Sequence, residues 1–122
     1  MPKKILIVDD EPQIVEICRD YLKAAGYETV TASNGLQAVS LAHHEKPDLI
    51  VLDLMMPEMD GFAVLDALKA NPETAYIPVI VSTAKDLTIE EKARLQGQIQ
   101  TLLQKGDFMS DEFVEEVKAL IR

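Results

Sequence analysis

Three aspartates, a threonine and a lysine stand at the ends of short apolar runs in this 122-residue chain. Asp9 and Asp10 follow Ile5-Leu6-Ile7-Val8. Asp53 follows Leu49-Ile50-Val51-Leu52. Ser82 and Thr83 close the run that starts at Pro78, and Lys105 ends the stretch that starts at Ile99. Three carboxylates brought together repel one another, and burial raises their pKa values further. A divalent cation removes that conflict. All-oxygen ligands with room for water suit Mg²⁺, which prefers octahedral geometry and keeps several waters. A metal-neutralised carboxylate beside an ammonium and a hydroxyl is arranged to receive a phosphoryl group. The charge on the transferring oxygens is met by Mg²⁺, by Lys105 and by the Thr83 hydroxyl. An aspartate can be the nucleophile in such chemistry, giving an acyl phosphate.

For these residues to meet, the apolar runs must be strands of one parallel sheet. Each of the clearest runs is apolar throughout, which implies burial on both faces, the habit of parallel strands. Between the runs lie longer amphipathic segments. Ile14, Ile17, Cys18, Tyr21, Leu22 and Ala25 recur at helical spacing, with Pro12 suited to a first turn and Gly26 to a stop. Tyr27 to Ala32 reads as a second, weaker strand. Asn34 to Gln37 opens a second helix with a cap-like pattern, and Pro47 closes it. A third helix carries Val64, Leu65 and Leu68, and Asn71-Pro72 marks the turn after it. Thr88 to Glu91 is a capping box for a fourth helix with a poor apolar face. Ile99 to Leu103 reads as a fifth strand. Ser110 can cap a last helix whose face is Phe113, Val114, Val117, Leu120 and Ile121. The expectation is a doubly wound α/β fold of five parallel strands and five helices, with the working site outside the carboxyl ends of the strands.

The totals agree with this reading. The length fits one domain spanning 1–122, and 48% apolar residues supply a core. With 5% aromatics and no Trp, that core must be aliphatic. The net charge is −9 and Lys and Arg are scattered, which argues against a nucleic-acid surface. One cysteine cannot form an internal disulfide. The apolar run behind the N-terminus is too short for a signal peptide or a membrane span, so a cytoplasmic location without membrane insertion is expected.

Ile-Leu-Ile-Val-Asp-Asp-Glu-Pro at 5–12 resembles the first strand and acidic pair of bacterial two-component response-regulator receiver domains. Lys-Pro-Asp-Leu-Ile-Val-Leu-Asp-Leu-Met-Met-Pro-Glu-Met-Asp-Gly at 46–61 resembles that family's phosphorylation segment. The spacing onward to Thr83 and Lys105 is similar too, so the resemblance rests on separated motifs in the correct order along the whole chain. It implies a flavodoxin-like sheet with strand order 2-1-3-4-5. It implies Asp53 as phosphoacceptor, Asp10 as a direct Mg²⁺ ligand, Asp9 as a ligand through water, and the Met55 backbone carbonyl as the third protein ligand. Thr83 is expected to bond the phosphoryl oxygen and Lys105 to pair with it. The donor is expected to be a phosphohistidine on a sensor histidine kinase or phosphotransfer protein. The chain is thus expected to help catalyse its own phosphotransfer and slow self-dephosphorylation without being a conventional turnover enzyme.

Two positions depart from the family pattern. Receivers usually carry Pro after the lysine, joined by a cis bond; here Gly106 follows Lys105. A cis peptide without Pro costs about 3 kcal/mol, so a trans bond is expected. Receivers also tend to have Tyr or Phe three residues before that lysine, and here the position is Leu102, which offers neither ring nor hydroxyl. A downstream protein is expected to read the face made by the fourth helix, fifth strand and fifth helix, with weaker aromatic coupling than usual. Met55 and Lys85 flank the route of an attacking water in this family. Met55 cannot orient a water by hydrogen bonding, so slow self-dephosphorylation is expected. The sequence between Asp86 and Gly106 resembles receivers at the ends of hybrid sensor kinases, and some stand-alone receivers share it.

Plainer roles compete at single positions. Asp9 or Asp10 alone reads as a helix cap. His43-His44 is tempting as a relay or metal pair, but adjacent helical residues do not face each other, so a solvated helix end is the better reading. Cys18 reads as a core residue. Two other functions use similar residues. An aspartate-nucleophile phosphohydrolase needs a second Asp two residues after the first, where this chain has Met55. A receiver-like interaction module that is never phosphorylated does not need Asp9, Asp10, Asp53, Thr83 and Lys105 together.

Overall fold

Each apolar run forms a strand and each amphipathic segment a helix. In chain order these are β1 (Lys4–Val8), α1 (Pro12–Ala24), β2 (Glu28–Ala32), α2 (Gly35–Glu45), β3 (Leu49–Asp53), α3 (Gly61–Ala70), β4 (Val79–Thr83), α4 (Ile89–Leu95), β5 (Thr101–Gln104) and α5 (Asp111–Leu120). The computed structural model describes residues 2–54, 60–83, 87–99, 101–104 and 111–121. The five strands form one sheet in the order β2-β1-β3-β4-β5, and every pairing is parallel. This is the doubly wound arrangement that the alternating runs predict.

Strand alternation divides the core into two layers. Leu6, Val8, Ile50, Leu52, Val79 and Val81 face α2, α3 and α4, where Ala38, Leu65, Leu68 and Leu95 cover them. Ile5, Ile7, Leu49, Val51 and Ile80 face α1 and α5, where Cys18, Leu22, Phe113 and Val117 cover them. Continuous burial along β3 and β4 follows from this double cover.

Local signals set the element ends. Pro12 occupies the first turn of α1, where a missing N–H costs nothing. Gly26 ends that helix at φ 97°, a left-handed conformation that glycine adopts without strain. Asn34 caps α2 by accepting from Gln37 N at 2.8 Å, while Gln37 Oε1 accepts from Ser33 N at 2.9 Å. The capping box at α4 forms in both directions. Glu91 N donates to Thr88 Oγ1 at 3.1 Å and Thr88 N donates to Glu91 Oε1 at 2.9 Å.

β2 and β5 start later than the pattern-based expectation. β2 starts at Glu28, because Tyr27 N is engaged by Leu22 O in the exit from α1. β5 starts at Thr101, two residues later than the apolar pattern suggests. Ile99 is spent earlier, packing against the α4 side of the core just after the turn at Gly97, φ 81°. The cap expected at Ser110 lies outside the described residues. Among the described residues no helix is long and apolar enough to cross a membrane.

Candidate functional site

The carboxyl ends of β1 and β3 deliver the three aspartates. Asp9 leaves β1 with its N–H still bonded to Ala32 O at 3.1 Å, so the β1–β2 ladder extends into the site. Its Oδ1 accepts from Glu11 N at 2.9 Å, closing a tight turn into α1. Glu11 is the N-cap residue of α1, and Asp9 shapes the turn that leads into it. Asp10, one residue on, is exposed. Asp53 is the last residue of β3 and is fully buried, while Asp9 is 3% exposed.

Carboxylate oxygens of Asp9, Asp10 and Asp53 all lie within 4.8 Å of one another. At an effective dielectric of about 20, two unit charges that close repel by about 3 kcal/mol or more. Two of the three are out of water, where that repulsion is screened least. The donor set is oxygen only, and one member opens to solvent. Such a set fits a hard divalent cation that keeps part of its water shell, as Mg²⁺ does. Asp9 also acts downward into the core. Burial first, and then its charge, push the Cys18 thiol up to about 12. Cys18 is therefore an inert core residue, as its place on the apolar face of α1 implies.

β4 supplies hydroxyls beside this cluster. Ser82 stands directly opposite Asp53 in the β3–β4 register, and Leu54 N donates to Ser82 O at 3.1 Å. Thr83, one residue further, is fully buried and pairs with Gln104, the last residue of β5. Lys105, Gly106, Met55 and Lys85 lie outside the described residues. Leu102 of β5 pairs with Val81 of β4 and is 38% exposed. It lines an apolar groove with Ile89, Lys92 and Ile99.

Two features were not found by reading the sequence. The first is the packing role of Gly61, the last residue of the 46–61 segment. Its N–H donates to Leu54 O at 3.1 Å, and Asp60 caps the same helix by accepting from Ala63 N at 2.9 Å. A Cβ at Gly61 would sit 2.5 Å from Leu54 Cα and 2.6 Å from Asp53 O. Glycine is thus required for α3 to rest on the backbone that carries Asp53. The second is Arg94 of α4. Its Nη2 donates to Asp66 Oδ2 at 2.9 Å, and its Cζ lies 4.6 Å from the centre of the Phe62 ring. Phe62 follows Gly61, so α4 is tied to the first turns of α3. An i,i+4 pair such as Phe62 and Asp66 signals a shared helix face, but nothing in the sequence names Arg94 as its partner.

The histidine pair belongs elsewhere. Both residues lie in the last turn of α2, which leads to the opposite edge of the sheet from the aspartates. His43 Nδ1 is 3.1 Å from Glu73 Oε2, and His44 Nδ1 is 2.9 Å from Ser40 O. The His43 side chain is about half-exposed, in keeping with a solvated helix end.

Sheet order, double cover and an acidic cluster at the carboxyl edge define a doubly wound α/β module with its candidate site at the strand ends. The response regulator receiver domain model matches residues 5–118, and the chain belongs to that family. It is 36% identical to the polar-differentiation response regulator DivK of Brucella anthropi over 99% of this chain and 98% of that protein. It is 39% identical to the alkaline phosphatase synthesis transcriptional regulatory protein PhoP of Bacillus subtilis, over the whole of this chain and 50% of that protein. Its fold is similar to the receiver domain of a sensor histidine kinase from Pseudomonas aeruginosa, solved with magnesium coordinated in its active-site cleft. The TM-score is 0.87 at 26% identity, covering 99% of this chain and 98% of that one. The chain is a receiver domain of phosphorelay signal transduction by aspartate phosphorylation. Domains of this kind work with histidine kinases and downstream targets.

Proposed function

We propose that residues 1–122 act as one receiver unit in which Asp53 accepts the phosphoryl group. The observation that carries this is the position of Asp53, fully buried at the end of β3 with carboxylates of Asp9 and Asp10 within 4.8 Å. In the transfer, an Asp53 oxygen forms the O–P bond as the P–N bond to a partner histidine breaks, and the leaving imidazole recovers a proton. Asp10, Asp53 and the Met55 carbonyl would hold Mg²⁺ directly, and Asp9 would hold it through water. The cation would supply charge neutralisation for the acceptor and for the phosphoryl oxygens. Thr83 donates its hydroxyl to a phosphoryl oxygen and Lys105 pairs with another. The donor is a sensor histidine kinase or a phosphotransfer protein, and the setting is the cytoplasm. The output is a protein contact on the face of α4, β5 and α5. Met55 and Lys85 set a long phosphoryl lifetime, because Met55 offers no hydrogen bond to an attacking water.

The test is incubation with a small acyl phosphate, followed by intact mass. The parent is expected to gain one phosphoryl group with Mg²⁺ and none after chelation, and Asp53→Asn to gain none in either case. Equal incorporation by Asp53→Asn would place the acceptor elsewhere. No incorporation by the parent would favour an interaction module that is not phosphorylated.

A further inference from the structure

Ser82 is the one hydroxyl that the sheet register sets directly beside the acceptor. It pairs with Asp53 across β3 and β4. Paired residues of a parallel ladder project to the same face. Alternation along both strands identifies that face. Leu49 and Val51 before Asp53, and Ile80 before Ser82, all pack toward α1 and α5. Thr83 follows the other parity, with Val79 and Val81 toward α3 and α4. Ser82 is 1% exposed, and its Oγ has no hydrogen-bond partner among the described residues. Essentially none of that oxygen is open to water. A buried hydroxyl left unbonded destabilises the state that contains it. A buried serine that follows Val79, Ile80 and Val81 on β4 is therefore not explained by packing.

We propose that Ser82 is a positioning residue for the loaded acceptor: its hydroxyl donates to an oxygen of the Asp53 carboxyl group when phosphoryl group and cation are in place. The bond belongs to the loaded form, so it favours that form over the free one. Thr83 and Ser82 then address the same carboxyl terminus of the sheet from its two faces. This rests on Asp53 being the acceptor.

The experiment compares the parent with Ser82→Ala and Ser82→Cys, using Mg²⁺ and beryllofluoride as the phosphoryl mimic. Two quantities are read: the melting temperature without the mimic, and the apparent beryllofluoride affinity at fixed Mg²⁺. Ser82→Ala is expected to melt at or above the parent temperature when unloaded, since it removes an unbonded hydroxyl. It is expected to bind beryllofluoride about three- to tenfold more weakly, the effect of one hydrogen bond. Ser82→Cys, similar in size but a weak donor, is expected to follow Ala. Affinity within twofold of the parent in both variants overturns the role of Ser82 while leaving Asp53 as acceptor. A lower unloaded melting temperature with unchanged affinity marks a purely structural serine and overturns it as well. A parent that shows no Mg²⁺-dependent response to beryllofluoride overturns the acceptor reading and this inference together.

Discussion

α3 and α4 lie on the same side of the sheet but are held very differently. α3 buries Gly61, Phe62, Val64, Leu65 and Leu68 along ten residues. α4 has seven residues and buries only Leu95, while Ile89 is 88% exposed. The first helix presses on the backbone of Asp53 and Leu54 through Gly61. The second is fixed by one apolar anchor, a capping box and the Arg94 contacts to Phe62 and Asp66. Packing depth thus separates a helix seated on the Asp53 backbone from one that can shift at small cost. Regions with few buried contacts open locally at low free energy.

The sharpest way to break this contrast is a matched pair of truncations. Leu65→Ala is expected to lower global stability by about 3 kcal/mol, as a fully buried leucine in a dense core should. Leu95→Ala is expected to cost less globally and to speed amide exchange across α4 while the strands stay protected. Equal global losses, with α4 exchanging only through complete unfolding, would remove the distinction. Next in size is Gly61→Ala. The added methyl meets backbone, which cannot move aside like a side-chain tip, and a loss of about 1–3 kcal/mol in denaturant unfolding is expected. Its phosphorylation rate should fall more than that of a surface control such as Lys23→Ala, because Gly61 touches the Asp53 backbone and Lys23 is an exposed residue of α1. Smallest is Arg94→Gln. The Arg94 and Asp66 side chains are about half exposed, so screening limits the whole contact to about 1 kcal/mol or less. A double-mutant cycle with Asp66→Asn measures it. Zero coupling would leave α4 with Leu95 and its cap alone.

Much of this was legible in the sequence because it depends on period and order. Continuous apolar runs announced the parallel sheet, and the residues after each run announced its working edge. Thr88 and Glu91 announced their mutual cap. Less legible was whatever depends on register between distant strands. Nothing in the run Pro78 to Thr83 tells which hydroxyl stands opposite Asp53, and the pairing selects Ser82. Gly61 looked like punctuation because a missing Cβ shows its meaning only against a neighbouring backbone. Arg94 looked like one charge among many on a polar helix. β5 was placed two residues early because Ile99 is apolar for the sake of the core beside α4, not for the ladder.

The strand order also has a consequence for how the molecule is made. β1 pairs with β3, so Asp9, Asp10 and Asp53 all belong to the first 53 residues, while Ser82 and Thr83 arrive with β4. A ribosome delivers the three mutually repelling carboxylates before it delivers the hydroxyls of the other strands. Any early docking of β3 on β1 therefore meets that repulsion by itself, and a cation, not the arrival of the later strands, is what relieves it.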